Sequence, residues 1–117
     1  MGANMARRLK DHGETIVAVY DQDRATATSL AGELDCEATA SPARLAELAN
    51  TIFTVVSDDT AMRQIFSATG AESLLRHAKN RLFVNCATLS PAVHIDVEML
   101  VTQHGGQSLE ACMASSI

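Results

Sequence analysis

A glycine at position 2 opens a helical pattern, a second glycine at position 13 ends it, and a β-branched run then leads straight to an acid. Few folds accommodate that order. Met1-Gly2-Ala3-Asn4-Met5-Ala6-Arg7-Arg8-Leu9-Lys10 reads as the start of a helix. Its first turn carries orphan amide donors and a positive dipole end, which suit a phosphate. His12-Gly13 closes the helix, because glycine takes left-handed C-cap geometry without steric cost. Thr15 to Tyr20 reads as a strand and ends in Asp21, nineteen positions after Gly2. An acid about twenty residues past a glycine fingerprint is placed to receive a ribose hydroxyl in a dinucleotide site.

The remainder repeats the alternation. Ala27, Leu30, Ala31 and Leu34 recur at helical spacing within Arg24 to Leu34, while Cys36-Glu37-Ala38 is a weak strand. Ser41-Pro42 and Ser90-Pro91 are helix starts, serine at the N-cap and proline in the first turn. The first helix runs to about Leu48; the second buries Val93, Val97, Leu100 and Val101 and ends at Gly105-Gly106. Thr51 to Ser57 is apolar without strict alternation, the pattern of a strand buried on both faces. Ser57-Asp58-Asp59-Thr60 caps a helix carrying Met62, Ile65 and Phe66. Leu74-Leu75 forms a further amphipathic turn, Leu82 to Cys86 a strand, and Ser108 to Met113 a last strand. Strands alternating with helices through short links define an α/β domain with a parallel sheet.

Composition narrows the function classes. A chain of 117 residues with 47% hydrophobic and 20% charged residues suits one folded domain. A formal charge of -5 argues against a nucleic-acid partner. No apolar run approaches a membrane span and no signal-peptide pattern is present, so the expected location is the cytoplasm. Cys36, Cys86 and Cys112 read as small core residues in a reducing compartment. His12, His77, His94 and His104 form no metal-ligand spacing and read as surface or capping residues, with His94 and Glu98 as a surface pair.

Met1-Gly2-x-x-Met5-Ala6-x-x-Leu9, Tyr20-Asp21 and the Thr88-Leu89-Ser90-Pro91 segment occur in an order that resembles the β-hydroxyacid dehydrogenases. That family includes 3-hydroxyisobutyrate dehydrogenase and tartronate semialdehyde reductase and is related to 6-phosphogluconate dehydrogenase. In it, a hydrophobic strand and two further glycines precede the position of Gly2. The resemblance therefore implies a Rossmann-like three-layer α/β domain with a parallel sheet lacking its first central strand. Residues 1–117 would form a partial NAD(P)-binding domain, without the family's all-helical C-terminal domain. In the order 3-2-1-4-5-6 the missing strand is central, so a gap is expected there.

The same resemblance assigns candidate residues. Met1, Gly2, Ala3 and Asn4 fall on the pyrophosphate side, Asp21 on the adenosine ribose, and Ser57, Asp58 and Thr88 along the remainder of the cofactor. Asp21 favours NAD, because a carboxylate repels the extra phosphate of NADP; nearby Arg24 keeps NADP open. Ala87 and Thr88 fall in the substrate segment, where Ala87 replaces a family serine and removes its hydroxyl. Glu110 to Ser116 falls on a third signature, with Ser115 and Ser116 in place of two glycines. The family's catalytic lysine lies further along, and neither Lys10 nor Lys79 substitutes for it.

The implied activity is hydride transfer between a nicotinamide cofactor and the CH-OH group of a short β-hydroxy acid, with this chain alone inactive. Implied partners are that hydroxy acid and a second copy in a homo-oligomer, with a mitochondrial location left open. A non-catalytic dinucleotide-binding or structural domain is the alternative, favoured by Ala87 and the Ser115-Ser116 departure. A phosphate-receiver domain would need its acidic pair after the first strand, whereas Asp58 and Asp59 follow a middle one.

Overall fold

The computed structural model describes residues 2–111. Met1 and the stretch 112–117, with Cys112, Met113, Ser115 and Ser116, lie outside the described residues. The elements are α1 (Gly2–Asp11), β1 (Ala18–Val19), α2 (Arg24–Leu34), β2 (Glu37–Ala38), α3 (Pro42–Leu48) and β3 (Thr51–Thr54). They continue with α4 (Asp59–Ile65), a 3-10 turn (Leu74–His77), β4 (Leu82–Asn85), α5 (Pro91–Gln103) and β5 (Gln107–Glu110). Among the described residues no helix is long and apolar enough to cross a membrane.

Local chemistry sets the boundaries. Asp23 caps α2, accepting from the amides of Ala25 and Thr26, and Ser41 caps α3, accepting from Arg44 at 3.2 Å. Gly13 and Gly105 sit at φ 92° and 84° after α1 and α5, where a side chain would be strained. Asp35 ends α2 at φ 57°, since Asp is among the few non-glycine residues that tolerate this region. Ser90 occupies the N-cap position of α5 but makes no side-chain cap bond, contrary to the expected serine cap.

All strand pairs are parallel, in two sheets: β1 with β2, and β3-β4-β5. Set against the order 3-2-1-4-5-6, β2 and β1 take places 3 and 2, and β3, β4 and β5 take 4, 5 and 6. Place 1 is unfilled among the described residues, which is the expected gap. It explains a shortened strand: Thr15 to Tyr20 reads as β throughout, yet only Ala18–Val19 pairs, against β2 alone.

The core lies on one face of the three-stranded sheet. Ile52 and Phe83, partners in register, pack with Met62, Phe66, Leu74, Leu75, Val93, Val97 and Val101. Phe66 and Phe83 meet edge to face at 5.4 Å between ring centroids. The opposite face is open at Phe53 and Leu109, while Val84 between them is buried, and at β3 the sequence expectation fails. β3 was expected to be buried on both sides, but its residues alternate, and Phe53 is 43% exposed. The row Phe53-Val84-Leu109 crosses the sheet on that face, with Leu109 also exposed.

The helix face of α5 is also wider than expected. His94 is buried, 7% exposed, and its Nε2 lies 3.7 Å from Glu110 Oε1 on β5. The surface pair with Glu98 is therefore not formed by an exposed histidine: position 94 joins 97 and 101 on the stripe that packs against β5. His104 does cap, its Nδ1 lying 2.8 Å from the Leu100 carbonyl oxygen.

Two glycines give opposite expectations. A Cβ on Gly106 would lie 2.6 Å from the Ala78 carbonyl oxygen, so Gly106→Ala is expected to cost about 1–3 kcal/mol. Gly32 is inside α2 with open space around it, so Gly32→Ala is expected to add about 0.5–1 kcal/mol. Urea unfolding of the two variants checks both signs.

Candidate functional site

Parallel strands that start together also finish together. Thr54, Asn85 and Glu110 end β3, β4 and β5 in register, so the loops after them gather at one edge of the sheet. Thr54 Oγ1 donates to Asn85 Oδ1 at 2.6 Å, a buried cross-strand bond that fixes the carboxyl ends of β3 and β4 together. Ligands of open α/β sheets bind at such edges.

A cleft of about 510 Å³ opens between the end of β1 and the length of β3. Tyr20, Asp21 and Gln22 line one side, and Thr54, Val55, Val56 and Ser57 line another. The structure thus brings the expected residues Asp21 and Ser57 to a single cleft. Tyr20, Gln22, Val55 and Val56 line it as well; Tyr20, Gln22 and Val56 each adjoin a named candidate, and position at a strand end was their signal in the sequence.

Asp21 is exposed, and its Oδ1 accepts the Asp23 amide at 2.8 Å. That Asx turn bends the chain from β1 into α2. Asp23 Oδ1 then accepts the amides of Ala25 at 3.0 Å and Thr26 at 3.4 Å. The Thr26 hydroxyl and amide, with the Ala25 amide, hold the Asp23 carboxyl below the usual carboxylate range. Arg24 Nη1 donates to the Thr39 carbonyl at 2.7 Å.

Gly2, Ala3 and Asn4 form the first turn of α1. A Cβ on Gly2 would lie 3.5 Å from Val55 Cβ, so this turn sits beside the loop leaving β3. Arg7 holds the helix in place: it donates to Glu33 on α2 through Nε and Nη2 and to Asn4 Oδ1. Lys10 is exposed and donates to the Leu34 carbonyl oxygen, away from the cleft.

The other candidates are dispersed along the same edge. Asp58 does not line the cleft; its Oδ1 accepts the Ala61 amide at 2.8 Å as the N-cap of α4. Asp59 Oδ1 accepts the Ser90 amide at 3.2 Å, tying the loop after β4 to the start of α4. Within that loop Ala87 is buried and Thr88 exposed, and neither lines the cleft. Burial pushes the thiols of Cys86 and Cys36 up, against a nucleophilic role; Cys86 is a core residue as expected, whereas Cys36 is only half-buried. No group of three potential metal ligands occurs among the described residues.

Comparison with known proteins agrees with this fold. Residues 1–114 match the model of the NAD binding domain of 6-phosphogluconate dehydrogenase. No protein of curated function matches in sequence. Among solved structures, the fold is similar to 3-hydroxyisobutyrate dehydrogenase from Mycobacterium tuberculosis, with TM-score 0.77 and 24% identity over 92% of this chain and 35% of that one. It is also similar to an imine reductase from Myxococcus stipitatus in complex with NADP+, with TM-score 0.77 and 20% identity over 92% and 36%. A V8 variant of the M. stipitatus imine reductase, in complex with NAD+, gives TM-score 0.78 and 21% identity over 92% and 35%. The chain spans about a third of the length of these proteins.

The cleft runs along β3 on the side where place 1 is unfilled, reaches the residues that follow β1 with Asp21 among them, and has the first turn of α1 nearby.

Two outcomes follow from the carboxylates. Asp58→Ala is expected to cost about 1 kcal/mol of stability and Asp58→Asn less, because asparagine still caps; thermal melts of the two distinguish them. Asp23 has a depressed folded-state value, so its stabilisation is full above the ordinary carboxylate value of about 4 and fades as pH falls through the folded value. The stability gap between the natural protein and Asp23→Asn is therefore expected to close on acidification. A gap independent of pH would show that the charge plays no part.

Proposed function

Because the chain belongs to the family of the NAD binding domain of 6-phosphogluconate dehydrogenase, we propose that it is the cofactor-holding part of a dehydrogenase acting on a short β-hydroxy acid. Its cofactor is a nicotinamide dinucleotide. NAD is the preferred form, and a compound such as 3-hydroxyisobutyrate is the substrate of the complete enzyme. The observation that carries this reading is Asp21, exposed at the end of β1 on the wall of a cleft whose other side is the β3 strand and the loop after it.

Bound NAD would supply a hydride acceptor for the carbon bearing the hydroxyl. The residues of this chain would contribute binding and orientation. Asp21 engages the Asp23 amide through Oδ1, and a carboxylate has a second oxygen with which to accept a ribose hydroxyl. Gly2, Ala3 and Asn4 would offer first-turn amides to the pyrophosphate. Ser57 would line the path of the cofactor along the β3 end, and Thr88, with Ala87 behind it, would stand toward the substrate. Asp58 would contribute through its backbone, since its carboxylate caps α4.

A second reading, dinucleotide binding without turnover, is supported by one residue. Ala87 is buried and has no hydroxyl to offer a substrate carboxylate. Turnover of hydroxy acids by a longer polypeptide containing this chain would reject it.

The test is calorimetric titration of NAD into this polypeptide and into a form lengthened at its amino end by an apolar strand and two glycines. Asp21→Ala is expected to weaken NAD binding by roughly 10-fold or more, the worth of a hydrogen bond to a charged group. Unchanged affinity in a folded Asp21→Ala protein, or no binding to either folded form, would sink the proposal.

A further inference from the structure

Among the described residues, one buried side-chain nitrogen or oxygen makes no hydrogen bond: His94 Nε2. The ring is 7% exposed on the inner stripe of α5, and Glu110 Oε1 on β5 lies 3.7 Å from that nitrogen, beyond hydrogen-bond reach. A buried polar atom left without a partner destabilises a fold. A second state relieves it. A proton on the ring makes Nε2 a charged donor facing a carboxylate, and a closure of about 1 Å brings the pair to the charge-assisted distance of ~2.8 Å.

The other charged groups around His94 have partners of their own or face solvent. On α4, which also packs against α5, Asp59 accepts the Ser90 amide and Arg63 donates to Asp96 of α5. On α5 itself Glu98 is exposed. β4 carries no titratable side chain, and burial pushes the Cys86 thiol that follows it up, toward the neutral form. Glu110 is the charged group within ion-pair distance of the ring.

We propose that His94 and Glu110 form an acid-closed latch that ties the start of α5 to the carboxyl end of β5. Burial of the ring opposes a charge there, and the carboxylate at short range offsets that opposition. The charged ring gains Glu110 as partner, so the stabilisation is present at acid pH and is lost as the ring gives up its proton. Histidine ordinarily takes its proton near pH ~6.5 and glutamate keeps its charge above about 4.3, so the latch is closed between those limits and opens above the upper one. Its reach extends beyond the pair. The His94 amide donates to the Ser90 carbonyl at 3.4 Å, the Ser90 amide donates to Asp59, and Glu110 stands in register with Asn85. Closure therefore draws α5 and the loop after β4 onto the end of β5.

The test compares the natural polypeptide with Glu110→Gln, which keeps the shape of an exposed side chain and removes its charge. Thermal melts should show a gap of about 4 °C at roughly pH 5.5 that closes by about pH 8. Long-range proton–nitrogen NMR of the His94 ring should find both nitrogens protonated at the acid value in the natural protein and only one in Glu110→Gln. In a His94→Gln background the Glu110→Gln gap should lose its pH dependence. A gap of equal size at both pH values, or a natural protein whose His94 ring carries one proton at the acid value, overturns the latch. Neither readout involves a dinucleotide, so the latch and the cofactor reading stand or fall separately.

Discussion

The parallel register of β3, β4 and β5 is the constraint on which the other features depend. Because all three strands run in one direction, their last residues Thr54, Asn85 and Glu110 align at one edge. Each strand must then return over the sheet before the next begins, so α4 and α5 both start at that edge. Helix starts carry unsatisfied amides and positive partial charge. A parallel sheet therefore concentrates loops, donors and positive helix ends on one side without needing any particular catalytic residue. Burial of Phe83 against Phe66, with Val93, Val97 and Val101 above, holds that register in place.

The carboxylates on this edge mostly serve the backbone. Asp23 and Asp58 cap helices, and Asp59 holds the Ser90 amide across the gap between two loops. Asp21 bends the chain and still lines the cleft. The division follows from position: an acid immediately before a helix meets orphan amides within its own reach, whereas an acid closing a strand faces the space beyond the sheet. Acids adjacent in sequence thus carry different duties. Asp58 and Asp59 illustrate it, one turned to its own helix and the other to the loop after β4.

Legibility in the sequence followed the range of the interaction. Ser41-Pro42 and Asp58 marked helix starts because a cap is satisfied within a few residues, and Gly105 marked a helix end because its φ of 84° is a local demand. The α/β alternation and the place of Asp21 were legible for the same reason. Features set by distant partners were not. His94 read as a surface residue because nothing in its neighbourhood reveals that β5 will cover that side of α5. The double-sided burial expected of β3 failed because apolar composition cannot say which face receives a helix. Of the site, the strand-end residues Asp21 and Ser57 were identified and came together, while the engagement of Arg24 with Thr39, fifteen residues away, required the fold.

The short β1 and the exposed Phe53 have a common origin. Among the described residues, β1 pairs only with β2 and β3 only with β4, so each presents a second edge of backbone donors and acceptors to the cleft region. A two-residue parallel pair contributes little on its own, since independent stability needs three or more strands or a helix packed across them. Val17, β-branched and next to β1, is accordingly 43% exposed, with only its carbonyl oxygen engaged, accepting the Glu37 amide at 3.4 Å. The face bearing Phe53 is open for a related reason: α1 is anchored to α2 through Arg7 and Glu33 rather than to the sheet, and buries none of its own residues. A parallel strand laid between β1 and β3 would satisfy both edges, extend β1 back through Val17, and bring the two sheets into one. The geometry of this edge would then be set by a single continuous ladder, and the spacing between Asp21 and the β3 loop would become fixed by strand separation.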